Sequence, residues 1–110
     1  MRKILYSPGF GAGWTTWNDG EVAKYMLEYA PIIEFLEAGG SFSDKETRDE
    51  SMHPLLSRLQ RECKERFGAD YVCVLGADDL AVATVGGRVR IHEYDGSESI
   101  EEEHAFDGWI

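Results

Sequence analysis

The sequence predicts an α+β fold of two layers, with helices packed on one face of a mainly antiparallel sheet. Three observations predict it. A short apolar run at 2–6 is typical of a strand, apolar residues recur at helical spacing in 21–36 and 54–67, and the period changes to two across 71–94. Because the chain has 110 residues and 43% hydrophobic content, we expect a single domain over 1–110 with one core.

Two helical segments are predicted in the first half of the chain. Asp19 can cap a helix over about 21–29, whose apolar residues fall on one face. Pro31 interrupts or restarts the helix, and the apolar surface that follows ends at Gly39-Gly40. The polar stretch 41–51 is then expected to be a connector with some helical content.

The clearest helix is predicted from about Pro54 to Phe67. Leu59, Cys63 and Phe67 repeat at intervals of four residues, and Gly68 can end the helix. Cys63 has no metal-ligand spacing to the other cysteine, Cys73, so we expect both to be small buried hydrophobic residues without a disulfide.

A three-stranded antiparallel meander is predicted after this helix. Its strands are 71–75, 80–85 and 88–94, with the loop 76–79 between the first two. Gly86-Gly87 fits a two-residue primed turn between the second and third strands. The N-terminal strand is expected to join the same sheet, since an isolated strand would leave backbone groups unpaired.

Negative charge is concentrated at the end of the chain. The formal net charge is −10, and no Lys or Arg follows Arg90. The acidic residues from there onward are Glu93, Asp95, Glu98, Glu101, Glu102, Glu103 and Asp107. Nucleic-acid binding is disfavoured because it requires Lys and Arg at phosphates. Two alternatives remain: the charge keeps the protein in solution, or a negative face attracts a basic protein surface.

The sequence carries no signature of a membrane protein or of a cofactor site. No apolar run of about eighteen residues occurs, and Pro8 breaks the N-terminal run too early for a signal peptide, so we expect a cytoplasmic protein without membrane contact. His53, His92 and His104 are scattered along the chain. We therefore predict no cofactor and no metal, while the oligomeric state stays open.

Two Gly-rich stretches flanked by aromatic residues, 7–17 and 93–100, are the most informative motifs. Each follows a strand-like run, and a Gly-rich segment can turn sharply or approach another group closely. We expect the two stretches to be neighbours that form one recognition surface. The candidate ligand-binding or partner-binding residues are Ser7, Gly9, Phe10, Gly11, Gly13, Trp14, Trp17, Tyr94, Asp95, Ser97 and Glu98.

The first motif leaves two pairs of alternatives open. Gly9, Gly11 and Gly13 could form an anion cradle of backbone N–H groups, but G-x-G-x-x-G order and a P-loop Lys are absent, so a structural turn is the alternative. Trp14 and Trp17 are three residues apart and could stack on a base or a peptide, or could belong to the core.

The second motif predicts a tight turn. Asp95-Gly96 favours chain reversal, and the hydroxyl of Ser97 can bond back to the backbone. Asp95, Ser97 and Glu98 could hold a divalent cation, although their spacing matches no EF-hand; a solvated turn is the alternative.

The two motifs also carry a resemblance to a known group of proteins. The segments KILYSPGFGAGW (3–14) and RIHEYDGSESI (90–100) resemble the signature segments of a family of small proteins from tailed bacteriophages and prophages. This resemblance covers about a quarter of the chain well. It implies an origin in a phage genome and expression inside a bacterium, and it implies no particular activity.

Three function classes follow from these observations. The favoured one is a non-catalytic phage accessory protein that binds and modulates or inhibits a host protein with a basic surface. The alternative is a binder of small, nucleotide-like ligands that uses the Gly-rich stretch and the Trp pair. A small hydrolase or transferase with carboxylate chemistry at Asp95 and Glu98 is the third class.

Overall fold

A computed structural model describes residues 2–42 and 53–102 and confirms the α+β class. The strands are β1 (Arg2–Tyr6), β2 (Ala81–Val85), β3 (Val89–Tyr94) and β4 (Ser97–Glu102), and the helices are α1 (Gly20–Leu27), α2 (Ala30–Glu37) and α3 (Pro54–Phe67). Short 3-10 helices form at Thr15–Trp17 and Leu75–Asp79. The predicted connector lies outside the described residues, apart from Ser41 and Phe42.

The four strands form two separate antiparallel pairs, so the prediction of a three-stranded meander in a single sheet is wrong. β1 pairs with β2, and β3 pairs with β4. Gly86 and Gly87 both lack the positive φ that a primed turn requires, whereas Asp95 and Gly96 have φ of 51° and 83°. The hairpin therefore turns at Asp95-Gly96, and Gly86-Gly87 leads from one sheet to the other.

The segment 71–75 is not a strand, contrary to the prediction. The side chain of Asn18 replaces a neighbouring strand there: its Oδ1 accepts from Cys73 N at 2.9 Å and its Nδ2 donates to Cys73 O at 3.0 Å. Gln60 Nε2 donates to Val72 O at 3.2 Å. Because side-chain amides satisfy these backbone groups, the segment needs no strand partner.

The β1–β2 sheet separates two hydrophobic clusters, because successive residues of a strand point to opposite faces. Leu5 belongs to the cluster formed with the helices, and its register partner Val82 packs against that cluster. Ile4 belongs to the second cluster, which contains Val89 and against which Ile91 and Ile100 of the β3–β4 hairpin pack. The hairpin therefore covers a sheet face that the sequence-based layout had left without an assigned partner.

The predicted helices are present with small changes in their ends. α1 and α2 are separated near Pro31 as expected, and α3 spans the predicted residues and ends at Gly68. Cys63 and Cys73 are buried and free, which confirms their expected role. Within the described residues, every helix is too short or too polar to cross a bilayer.

Glu62 joins α3 to the N-terminal helices. Its Oε2 accepts from the hydroxyls of Tyr25 and Tyr29 at 2.7 and 2.8 Å, and its Oε1 accepts from Arg58 Nε at 3.0 Å. Partial burial alone would raise the pKa of this carboxyl, but the three hydrogen bonds to its ionised form outweigh burial and lower the pKa below 4.5. Burial of the Tyr29 hydroxyl, together with its hydrogen bond to Glu62, raises the pKa of Tyr29.

We expect Glu62→Gln to lower the free energy of unfolding at pH 7 and to make this free energy less dependent on pH in the acidic range. The folded-state pKa of Glu62 is depressed, so the stabilisation is present above the unfolded pKa and is lost as pH falls through the lower folded value. The difference between wild type and Glu62→Gln should therefore shrink as pH falls from about 5 to 3, as measured by urea unfolding. Glu65→Gln, an exposed position on the same helix, should instead follow the wild-type curve.

Candidate binding site

The two Gly-rich motifs meet, as the sequence predicted. We call residues 7–17 the glycine loop and residues 89–102 the β3–β4 hairpin. Gly11 N donates to Asp95 O and Glu98 N donates to Ser7 O, both at 2.7 Å. The Ser97 hydroxyl donates to Pro8 O at 2.7 Å. The turn and the second strand of the hairpin therefore lie directly against the glycine loop.

A buried carboxylate is the centre of this junction. Glu98 is 2% exposed, and its Oε1 accepts from Ser7 N at 2.8 Å. Its Oε2 accepts from Trp14 N at 2.8 Å, and from the backbone N and the hydroxyl of Thr16 at 3.0 and 2.6 Å. An ionised carboxylate is strongly destabilised in a protein interior unless hydrogen bonds replace water, and charge-assisted bonds are among the strongest available. Glu98 is therefore a structural anion that fixes the shape of the glycine loop.

This geometry changes two of the sequence interpretations. The glycine loop does form a cradle of N–H groups for an anion, but the anion is the chain's own Glu98. The interpretation of Glu98 as part of a solvated turn is wrong, because the side chain points into the junction between loop and hairpin. With both oxygens engaged, Glu98 has no oxygen directed at solvent to act on a substrate.

Glycine allows the close backbone contacts on both sides of the loop. Gly96 has a φ of 83°, and a Cβ there would collide with Ala12 N and lie 2.6 Å from the carbonyl carbon of Gly11. On the other side, a Cβ on Gly76 would lie 2.5 Å from Gly13 O. The loop backbone is therefore held between two glycines that have no room for a side chain.

The two tryptophans have different environments, so they do not form the stacking pair considered above. Trp14 is fully buried, and its indole N–H donates to Met26 O at 3.1 Å. Trp17 is 41% exposed, and its indole N–H lies 3.4 Å from Glu93 Oε1. Trp14 belongs to the core, whereas Trp17 is available to a ligand.

An open groove lies where the loop and the hairpin turn meet. It has a volume of about 450 Å³. We call it the aromatic groove; its lining residues are Phe10, Gly11, Trp17, Glu93, Asp95 and Gly96. A volume of this size falls in the range of ligand sites.

The structure sorts the eleven predicted site residues into two groups. The residues that are wholly or partly buried are Ser7, Gly9, Gly13, Trp14, Ser97 and Glu98; Gly9 lies against the side chain of Asp79, and the other five build the junction. The residues that are exposed to solvent are Phe10, Gly11, Trp17, Tyr94 and Asp95. Tyr94 is 74% exposed but does not line the groove.

Sequence reasoning missed Thr16, Asn18 and Glu93. Thr16 supplies two of the donors to Glu98, and the side chain of Asn18 links Trp14 of the loop to Cys73. Glu93 could have been found, because a two-residue turn at Asp95-Gly96 places it directly opposite Glu98.

Comparisons with known proteins add no relative. No protein-family model matches the chain, and neither a curated protein nor a solved structure matches it.

We expect Glu98→Gln to lower the free energy of unfolding by about 3 kcal/mol. The NH₂ group of glutamine would replace one carboxylate oxygen, and it cannot accept a hydrogen bond from the backbone N–H donors of the loop. Urea unfolding measures the change. Glu93→Gln, an exposed carboxylate at the register partner of Glu98, should change stability by less than about 0.5 kcal/mol. Equal effects at the two positions would contradict the structural role of Glu98.

We expect Gly96→Ala to destabilise the protein by at least about 2 kcal/mol, because the new Cβ would be strained at positive φ and would collide with the loop. Gly86→Ala is the matched control, since a Cβ there meets nothing within 4 Å and the φ is not positive. It should be neutral or slightly stabilising. Thermal unfolding of both variants checks this expectation, and a similar loss in both would refute it.

Proposed function

We propose that this chain is a phage-encoded, non-catalytic accessory protein that acts in the bacterial cytoplasm by binding and modulating a host protein with a basic surface. The observation that carries the proposal is the aromatic groove, where exposed aromatic rings and carboxylates stand on a surface formed by both Gly-rich motifs. The phage origin rests on the resemblance of these motifs alone.

The distribution of charge favours a basic partner. The basic residues of the hairpin lie away from its turn: Arg90 is the register partner of Glu101, and His92 Nε2 lies 3.4 Å from Glu101 Oε1. Glu93 and Asp95 line the groove at the turn, and none of the residues that line it is basic. A complementary positive surface would be steered to this end of the molecule.

The exposed aromatic residues favour a macromolecular partner. Phe10 and Tyr94 are each 74% exposed, and Trp17 is 41% exposed. Aromatic side chains are enriched in protein interfaces and carry much of their binding energy. Their position beside the acidic turn gives the surface both an apolar and a charged component.

The other two function classes have less support. A nucleotide phosphate would have to displace Glu98 from the N–H groups of the loop, and Trp14 is not accessible for stacking. Carboxylate chemistry at Asp95 and Glu98 would require an oxygen that Glu98 has already committed to the loop.

An affinity pull-down from bacterial lysate tests the proposal. We expect wild type to recover one basic protein in stoichiometric amount at low salt and to lose it as ionic strength rises well above about 0.1 M, where charges are screened. The double variant Glu93→Gln with Asp95→Asn should recover much less of it. Both substitutions keep the hydrogen-bond acceptors, and Asn tolerates the positive φ of position 95.

The matched control removes two negative charges elsewhere. Glu34→Gln with Glu65→Gln changes exposed carboxylates on α2 and α3 that do not line the groove. This control should recover the partner as wild type does. Equal loss in both double variants would mean that only total charge matters, and recovery of no partner at low salt would refute the proposal.

A further inference from the structure

The aromatic groove has a lining that selects among ligand chemistries. The rings of Phe10 and Trp17 form part of its lining, together with the backbone at Gly11 and Gly96, where no side chain projects. Carboxylates of Glu93 and Asp95 complete it. Aromatic faces attract cations through their quadrupole, and carboxylates attract them through charge, so both components favour the same kind of guest.

The carboxylates in the groove have unused capacity to accept hydrogen bonds. Glu93 Oε1 accepts from Gly96 N at 2.6 Å and lies 3.4 Å from the indole nitrogen of Trp17, which leaves Oε2 without a partner in the described chain. The side chain of Asp95 likewise has no hydrogen-bond or ion-pair partner among the described residues, since only its backbone carbonyl bonds to Gly11. At least three carboxylate oxygens can therefore accept from a guest.

The negative charge at the groove disfavours anionic guests. Glu93 is the register partner of Glu98, so a third carboxylate lies within one cross-strand distance of the first. A phosphate or a carboxylate in the groove would meet the like charges of Glu93 and Asp95 in its lining.

Among cationic groups, guanidinium fits this lining better than ammonium. It is planar, weakly hydrated and able to stack on an aromatic ring while its N–H groups form a fork that matches carboxylate oxygens. An ammonium group offers a compact charge that is more costly to desolvate against Phe10 and Trp17.

We infer that the aromatic groove binds an arginine side chain of the partner, stacked against Phe10 and Trp17 and hydrogen-bonded to Glu93 and Asp95. The inference rests on the proposed function and adds to it the side chain that the partner must present. It makes binding depend on the type of cation and not only on the number of positive charges.

Three short peptides of the form acetyl-Gly-Ser-X-Ser-Gly-amide, with X as arginine, lysine or citrulline, test the inference on the full chain. The readout is the indole N–H resonance of Trp17 in the NMR spectrum, assigned by its loss in Trp17→Phe. We expect the arginine peptide to shift this resonance saturably, with an affinity at least about threefold above that of lysine. Citrulline, which has a similar shape without charge, should produce no saturable shift.

Variants locate the bound side chain. Phe10→Ala and Asp95→Asn should each weaken the arginine peptide about three- to tenfold. Tyr94→Ala, which removes an equally exposed ring outside the groove, should change the affinity less than about twofold. Circular dichroism of each variant confirms that the fold is retained, as expected at these exposed positions.

The outcomes separate this inference from the proposed function. Equal affinities for arginine and lysine peptides, equal effects of Phe10→Ala and Tyr94→Ala, or no shift with any peptide would overturn the arginine site. Each of these results is compatible with recovery of a basic protein in the pull-down, which tests the proposed function by itself. Absence of a basic partner in the pull-down combined with arginine-selective shifts would retain the site and remove its assignment to a protein partner.

Discussion

The carboxylate of Glu98 is the interaction on which the rest of the site depends. Its hydrogen bonds to Ser7, Trp14 and Thr16 connect positions 91, 84 and 82 residues apart in the sequence. The glycine loop has little regular structure of its own, so its buried N–H groups need acceptors from elsewhere in the chain. One side chain on β4 provides them. Together with the hydrogen bonds of Gly11 and Pro8 to the hairpin, this carboxylate fixes the path of the loop and the positions of Phe10 and Trp17.

The accuracy of the sequence predictions depended on how local the determining interactions are. α3 was predicted with its observed ends because its apolar spacing and its terminal Gly68 act within a few turns. β4 was missed because its sequence, SESIEE, has acidic and small polar residues where strands normally carry β-branched ones. Its partner β3 and the tight turn between them stabilise it instead. The same limit hid the burial of Glu98, which depends on donors from the opposite end of the chain.

Glycine spacing proved to indicate proximity, but the contacts are mainly within the protein. Gly96 and Gly76 admit the loop backbone from two sides, and Gly96 also lines the candidate site. The structural and functional interpretations of the motifs therefore apply to different residues of the same segments. Trp14 lies between Phe10 and Trp17 in the sequence and anchors the loop in the core, while Phe10 and Trp17 remain at the surface.

The cross-strand pair of Glu93 and Glu98 bears on the proposal that this end of the molecule binds a cationic partner. Like charges directly opposite each other on a hairpin are unfavourable. The charge on Glu98 is required by the loop, and N–H donors surround it. The charge on Glu93 is less constrained: its donors are Gly96 N and the Trp17 indole, and a neutral amide oxygen could accept from both, in weaker bonds that are not charge-assisted. The repulsion from Glu98 therefore acts against a charge at position 93. A cationic guest in the aromatic groove would offset this repulsion, because both carboxylates would attract its charge.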